Sequence, residues 1–105
     1  MSIDIQDKAT LLGFYAPLLT AKQSAMAYDH YYDDLSIAEI AQNHNISRAA
    51  VFDTLRKVDQ SLIRYESKLH LASKFAQREA IYAQLMAYND SRIQACVHAL
   101  EDIDE

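Results

Sequence analysis

Apolar residues recur at helical spacing along most of the chain. Val51, Leu55, Val58, Leu62, Tyr65 and Leu69 are separated by 4, 3, 4, 3 and 4 positions. That spacing keeps one face of a helix apolar for about five turns. Ile81, Tyr82, Leu85 and Met86 repeat the pattern nearer the C-terminus, as do Ile93, Cys96, Val97, Leu100 and Ile103, with a break at Asn89–Asp90–Ser91. Upstream, Leu11, Leu12, Phe14 and Tyr15 form the apolar side of a first helix from Lys8 to Ala16. Pro17 stops it, because the residue before a proline is pushed out of the α region. Thr20 with Gln23, and Ser36 with Glu39, stand three residues apart as capping-box pairs. They predict a second helix to about Asp33, with Met26, Ala27, Tyr31 and Tyr32 as candidates for burial, and a third to about Asn43. Ser47 caps the long fourth helix. The far half of that helix, with Leu62, Tyr65 and Leu69, extends beyond a three-helix body and needs a cover. Either C-terminal helices carrying Leu85 and Leu100 fold back on it as a hairpin, or two copies pack seam to seam as a homodimer.

The chain of 105 residues contains one glycine and one proline. Sandwiches and barrels need many turn residues, so this composition points to an all-α protein of a few long helices. The length suits one domain over 1–105, divided into a helix-turn-helix part at 8–60 and a C-terminal extension or dimerisation part at 61–105. The single Cys96 excludes an internal disulfide framework and a thiolate zinc site, and suits a reducing compartment. No apolar run approaches the roughly 20 residues of a membrane span. The start MSIDIQDKAT has no basic-then-apolar signal pattern, so a cytoplasmic protein without membrane insertion is expected.

His30, His44, His70 and His98 show no ligand spacing, so no metal is expected. There is no nucleophile motif with an adjacent base and no Gly-rich phosphate loop. Neither catalysis nor a cofactor is expected. The net charge of −5 hides an asymmetry: −4 over 1–45, +3 over 46–80 and −4 over 81–105. A basic middle suits an anionic partner.

Ile37 to Val51, IAEIAQNHNISRAAV, fits a helix-turn-helix frame at several independent places. Ala41 lets the two helices cross closely. Asn45 stands where the turn needs a left-handed residue, and asparagine tolerates that conformation best after glycine. Ile46 plugs the core from the turn. Ile37 and Ile40 anchor one helix, and Val51 and Leu55 the other. With Val51, Leu55 and Val58 inward, Ala49, Asp53, Arg56 and Gln60 fall outward, flanked by Arg48, Phe52 and Lys57. The expected nucleic-acid-binding residues are thus Ser47, Arg48, Ala49, Phe52, Asp53, Arg56 and Lys57. Arg48 suits a guanine edge or a phosphate, Arg56 and Lys57 suit phosphates, and Phe52 suits a thymine methyl or an unpaired base. Asp53 repels phosphate unless it accepts from a cytosine amino group. With the acidic ends, it favours the alternative of a protein-interaction module.

The run from Leu18 to Leu69 resembles the YlxM-type proteins, small bacterial helix-turn-helix proteins encoded beside the signal recognition particle GTPase. The matching pieces are LLT-x-KQ at Leu18–Gln23, YYDDLSIAEIA at Tyr31–Ala41 and ISRAAVFD at Ile46–Asp53, followed by the long amphipathic helix. The same region is similar to the C-terminal helix-turn-helix of sigma factors. Asp53 fits the YlxM pattern; Phe52 stands where that pattern more often has Tyr or His. The resemblance covers about residues 8–70 and implies an all-helical fold, which with the apolar spacing gives a wingless helix-turn-helix bundle with a long recognition helix and a C-terminal helical hairpin. It also implies an accessory or regulatory part in protein targeting, with the particle's RNA and its GTPase as partners beside DNA. A dimeric DNA-binding regulator would present paired recognition helices about 34 Å apart.

Overall fold

The structure, a computed structural model, describes residues 6–104. Among these, six α-helices follow one another: α1 (Lys8–Tyr15), α2 (Ala21–Tyr31), α3 (Ile37–His44), α4 (Arg48–Leu69), α5 (Leu71–Met86) and α6 (Ser91–Ile103). Among the described residues there is no strand. The chain divides into two compact units between Ala72 and Ser73.

In the first unit, local side-chain bonds set most helix starts. Asp7 caps α1, accepting from the Thr10 N–H at 3.3 Å. Both expected capping boxes form. Thr20 Oγ1 accepts from the Gln23 N–H while Gln23 Oε1 accepts from the Thr20 N–H, and Ser36 and Glu39 do the same, each bond being 3.1 Å. Each box satisfies two backbone donors that a helix start otherwise leaves open. Pro17 sits in a 3-10 turn, Ala16–Leu18, that separates α1 from α2.

Helices α1, α2 and α3 all pack on α4. Two apolar clusters result. The first joins Leu11, Leu12 and Tyr15 of α1 and Ala27 of α2 to Val58 and Leu62 of α4, and includes Ala72. The second joins Met26 of α2 and Ile40 and Ala41 of α3 to Val51 and Leu55, with Leu35, Ile37 and Ile46 packed against it. Burying each large aliphatic side chain is worth about 1.5–3 kcal/mol, so α4 serves as the spine of the unit.

This packing corrects part of the reading of the long helix. Leu62 is fully buried under α1 and α2, and Tyr65 packs against the same cluster with its hydroxyl donating to the Leu18 carbonyl at 3.4 Å. Neither side chain is left for a dimer seam or a C-terminal cover, because the first helix already occupies that place. Leu69, at the end of α4, is exposed instead. The division between units accordingly falls beyond residue 60. Tyr32 also departs from expectation. It lies just past the end of α2, exposed, stacked on Tyr28 at 5.0 Å and donating to the Ala9 carbonyl at 2.6 Å. Tyr31 is half-buried and its hydroxyl donates to Asp59.

The second unit contains most of α5 and all of α6. Asn89, at φ 54°, and Asp90, whose carboxylate accepts from the Arg92 N–H at 2.8 Å, make the turn between them. Arg78 Nε meets Asp104 Oδ2 at 3.2 Å, so the middle of α5 lies beside the end of α6. Tyr82 and Val97 are its buried side chains.

Candidate nucleic-acid interface

The turn between α3 and α4 is fixed by Asn45, at φ 55° and ψ 47°. Its left-handed backbone brings the Asn45 N–H to the Gln42 carbonyl at 3.3 Å and the Ile46 N–H to the Ala41 carbonyl at 3.0 Å. The carbonyls at the end of α3 are thereby satisfied as the chain changes direction. Ala41 is buried at the crossing and Ile46 packs on the second cluster. The His44 ring, at Nε2, lies 2.8 Å from Asp29 Oδ2 and ties the end of α3 to α2. Ser47 Oγ accepts from the Ala50 N–H at 3.1 Å and starts α4. The residues supply the geometry locally; the clusters hold α3 and α4 against each other.

The first turns of α4 present the face expected to point outward. Ser47, Arg48, Ala49, Arg56, Lys57 and Gln60 are exposed, Phe52 is 60% exposed, and Asp53 is partly covered. Val51, Leu55 and Val58 are buried on the opposite side. Arg48 has no ion-pair partner among the described residues. It stands in the first turn, where the helix dipole favours an anion.

Asp53 does something different from either role considered above. Its carboxylate lies 2.8 Å from Arg56 Nη2 and 3.1 Å from Lys57 Nζ, at i,i+3 and i,i+4. Those hydrogen bonds, from Arg56 first and then Lys57, hold its pKa below the ordinary carboxylate range. Asp53 therefore braces the two cations and offsets part of their charge. The signal was present in the sequence, since these are the standard spacings for helical ion pairs.

Sequence reasoning did not find a hollow of about 220 Å³ beside this face. It is lined by Phe52, Leu55, Arg56 and Asp59 of α4, His30 and Tyr31 of α2, and Ile37 of α3. His30 Nδ1 is buried without a hydrogen-bond partner among the described residues. Only packing brings the end of α2 beside the middle of α4, so no local pattern marks the hollow. Among the described residues, no three His, Cys, Asp or Glu side chains gather as a metal site. Among the described residues, no helix is long and apolar enough to cross a membrane.

A capped helix, a left-handed asparagine turn and a second helix with its leading face open define a helix-turn-helix protein. Residues 5–103 match the model of the UPF0122 family, described as "Putative helix-turn-helix protein, YlxM / p13 like". A UPF0122 protein of Listeria monocytogenes serotype 4b is 37% identical over 100 residues, covering 90% of this chain and 91% of that one. One of Lactococcus lactis subsp. cremoris is 41% identical over 98 residues, covering 91% and 88%. One of Bacillus licheniformis is 38% identical over 96 residues, covering 90% of each. The chain belongs to the UPF0122, YlxM/p13-like family.

Proposed function

We propose that the chain is a non-enzymatic accessory or regulatory protein that binds nucleic acid through the leading face of α4. The observation that carries this reading is the first turn of that helix. Ser47 and Ala49 are small and exposed there, and Arg48 is exposed beside them without an internal ion pair. Arg56 and Lys57 lie two turns further on as phosphate contacts, both braced by Asp53. Phe52 offers an apolar surface between the two groups. The resemblance to proteins encoded beside the signal recognition particle GTPase makes that particle's RNA the first nucleic acid to test, with duplex DNA beside it.

The decisive experiment is fluorescence anisotropy with labelled particle RNA and duplex DNA across a salt series. Three cations on phosphates give a slope of log Kobs against log salt of about −2 to −3. Arg48→Ala lowers that slope by about 1. Binding that ignores salt, or an Arg48→Ala variant that binds like the parent, overturns the reading.

A second reading has its own observation. Asp53 offsets the charge of Arg56 and Lys57, and Phe52 is an exposed aromatic beside a hollow of about 220 Å³. Such a face suits a protein-interaction module, with the particle's GTPase as its partner and no nucleic acid involved. Pull-down after nuclease treatment separates the two, since a partner held through RNA is lost with the RNA. A second copy of the chain is a further partner in either reading.

A further inference from the structure

The hairpin of α5 and α6 has too little apolar interior for its composition. From Ala80 to Asn89, and again from Ile93 to Leu100, there is no aspartate, glutamate, lysine or arginine. A helix facing water normally has a charged side opposite its buried stripe. Here the outward surface is apolar: Ile81 is 54% exposed, Tyr88 72%, Leu100 44% and Ile103 77%. Ile81, Leu85 and Tyr88 follow one another at spacings of 4 and 3 on α5 and the connection after it, and Ile93, Cys96, Leu100 and Ile103 at spacings of 3, 4 and 3 on α6. These are seam spacings, and Ile81, Tyr88, Leu100 and Ile103 of the two rows face solvent. Two hollows of about 370 and 440 Å³ lie along the rows and share Leu85.

We infer that this surface pairs with the same surface of a second copy, closing two hairpins into a four-helix bundle through α5 and α6. The inference deepens the proposed function by naming the dimer surface, which is built from helices other than the proposed nucleic-acid-binding helix α4. Several observations select a second copy over a different protein. A unit of fewer than about 40 residues does not sustain a core unaided, so the hairpin needs a partner that is always present. The apolar rows lie on both helices, as a two-fold bundle requires, because each helix then meets a helix of the other hairpin. The stretches Ala80–Asn89 and Ile93–Leu100 are free of Asp, Glu, Lys and Arg, and depletion of charge is the mark of an interface core. The charged groups sit at the ends, with Arg78 and Asp104 at one and Asp90 and Arg92 at the other.

Sedimentation equilibrium of the full chain tests it. The expected mass is twice the 12.0 kDa of one chain. Ile81→Glu and Leu100→Glu place a charge at positions that are exposed in the single chain, so neither disrupts its packing. Each is expected to reduce the mass to that of one chain and to speed amide exchange in α5 and α6, while α1 to α4 keep their protection. Ile63→Glu, on an exposed apolar residue of α4, is the control and should remain dimeric. A parent chain that sediments as a single copy up to its solubility limit overturns the inference. So does a dimer that survives both hairpin variants, or one that Ile63→Glu alone dissolves. Salt-dependent nucleic-acid binding by a monomeric parent would remove the dimer and leave the proposed function standing.

Discussion

The Tyr15 hydroxyl donates to the Glu66 carboxylate across 51 positions of sequence, at 2.5 Å. The same two groups cap the start of α5. Tyr15 Oη accepts from the Leu71 N–H at 3.1 Å, and Glu66 Oε1 accepts from the Ala72 N–H at 3.0 Å. The end of α1, the last turns of α4 and the first turn of α5 are thus fixed together, with the Tyr15 ring buried among Leu11, Leu12 and Leu62. Tyr15→Phe keeps the ring and removes the shared oxygen. It is expected to cost about 1–3 kcal/mol in urea unfolding, because it leaves a partly buried carboxylate and a backbone donor short of a partner.

Tyr15 also sets an alkaline limit. Burial first, and then the hydrogen bond from its hydroxyl to Glu66, push its pKa from 10.0 up to about 12. A raised pKa means that the folded state holds the proton more tightly than the unfolded state. The stabilisation is complete below pH 10 and is lost as the pH rises toward about 12. Phenolate absorbance with circular dichroism should show this tyrosine ionising late, together with loss of helix. Tyr15→Phe should remove that part of the alkaline transition.

At Asn45 the backbone conformation, not a side-chain contact, is at stake. Its φ of 55° lies in the left-handed region. Asn45→Ala is expected to destabilise by about 1 kcal/mol, and Asn45→Gly to be neutral or slightly stabilising. Urea midpoints of the two variants check the order. The reverse order would mean that the asparagine side chain holds the turn.

Asp53→Asn separates the two functional readings. Removing the carboxylate frees Arg56 and Lys57 from their exposed pairs, with little change in stability because such pairs contribute little. In nucleic-acid binding, affinity should rise several-fold at low salt, because Arg56 and Lys57 no longer have to leave Asp53 to reach phosphates. The absence of nucleic-acid binding in both the parent and Asp53→Asn supports the protein-contact reading. Arg56 and Lys57 hold the Asp53 pKa below the ordinary range, so the brace persists at neutral pH. Its contribution disappears only as the pH falls through that lowered value.

Gly13 lies in α1, where an added Cβ would touch the Tyr32 hydroxyl at 3.4 Å, an ordinary contact distance. Gly13→Ala is expected to stabilise the chain by about 0.5–1 kcal/mol, the difference in helix propensity. Thermal unfolding should show a higher midpoint. A lower one would mean that the Tyr32 hydroxyl is displaced from the Ala9 carbonyl.

Features that depend on neighbours three or four positions apart were legible in the sequence. Thr20 with Gln23, Ser36 with Glu39, Ser47 at the start of α4 and Asn45 in the turn all appear where their residue types require them. The inward row Val51, Leu55 and Val58 follows from helical period alone, so the outward face of α4 followed too. The pairing of Asp53 with Arg56 and Lys57 was equally local, but was obscured by weighing Asp53 only against phosphate and base.

Short-range geometry could not say which surface covers which. Period places Leu62 on an apolar face, yet only chain packing decides that α1 lies over it. Tyr32 has the composition of a core residue, but α2 ends before it and leaves it at the surface. The Tyr15–Glu66 bond and the hollow beside Phe52 likewise require residues from distant parts of the chain to meet. By itself the sequence determined the helices, the pivot at Asn45 and the face that α4 turns outward, because these are set by bonds and sterics within a turn or two. Tertiary structure alone decided what buries the far half of α4 and which apolar surface of the C-terminal hairpin is left open. Burial is a competition among all apolar faces of the chain, and its outcome is not encoded in any one of them.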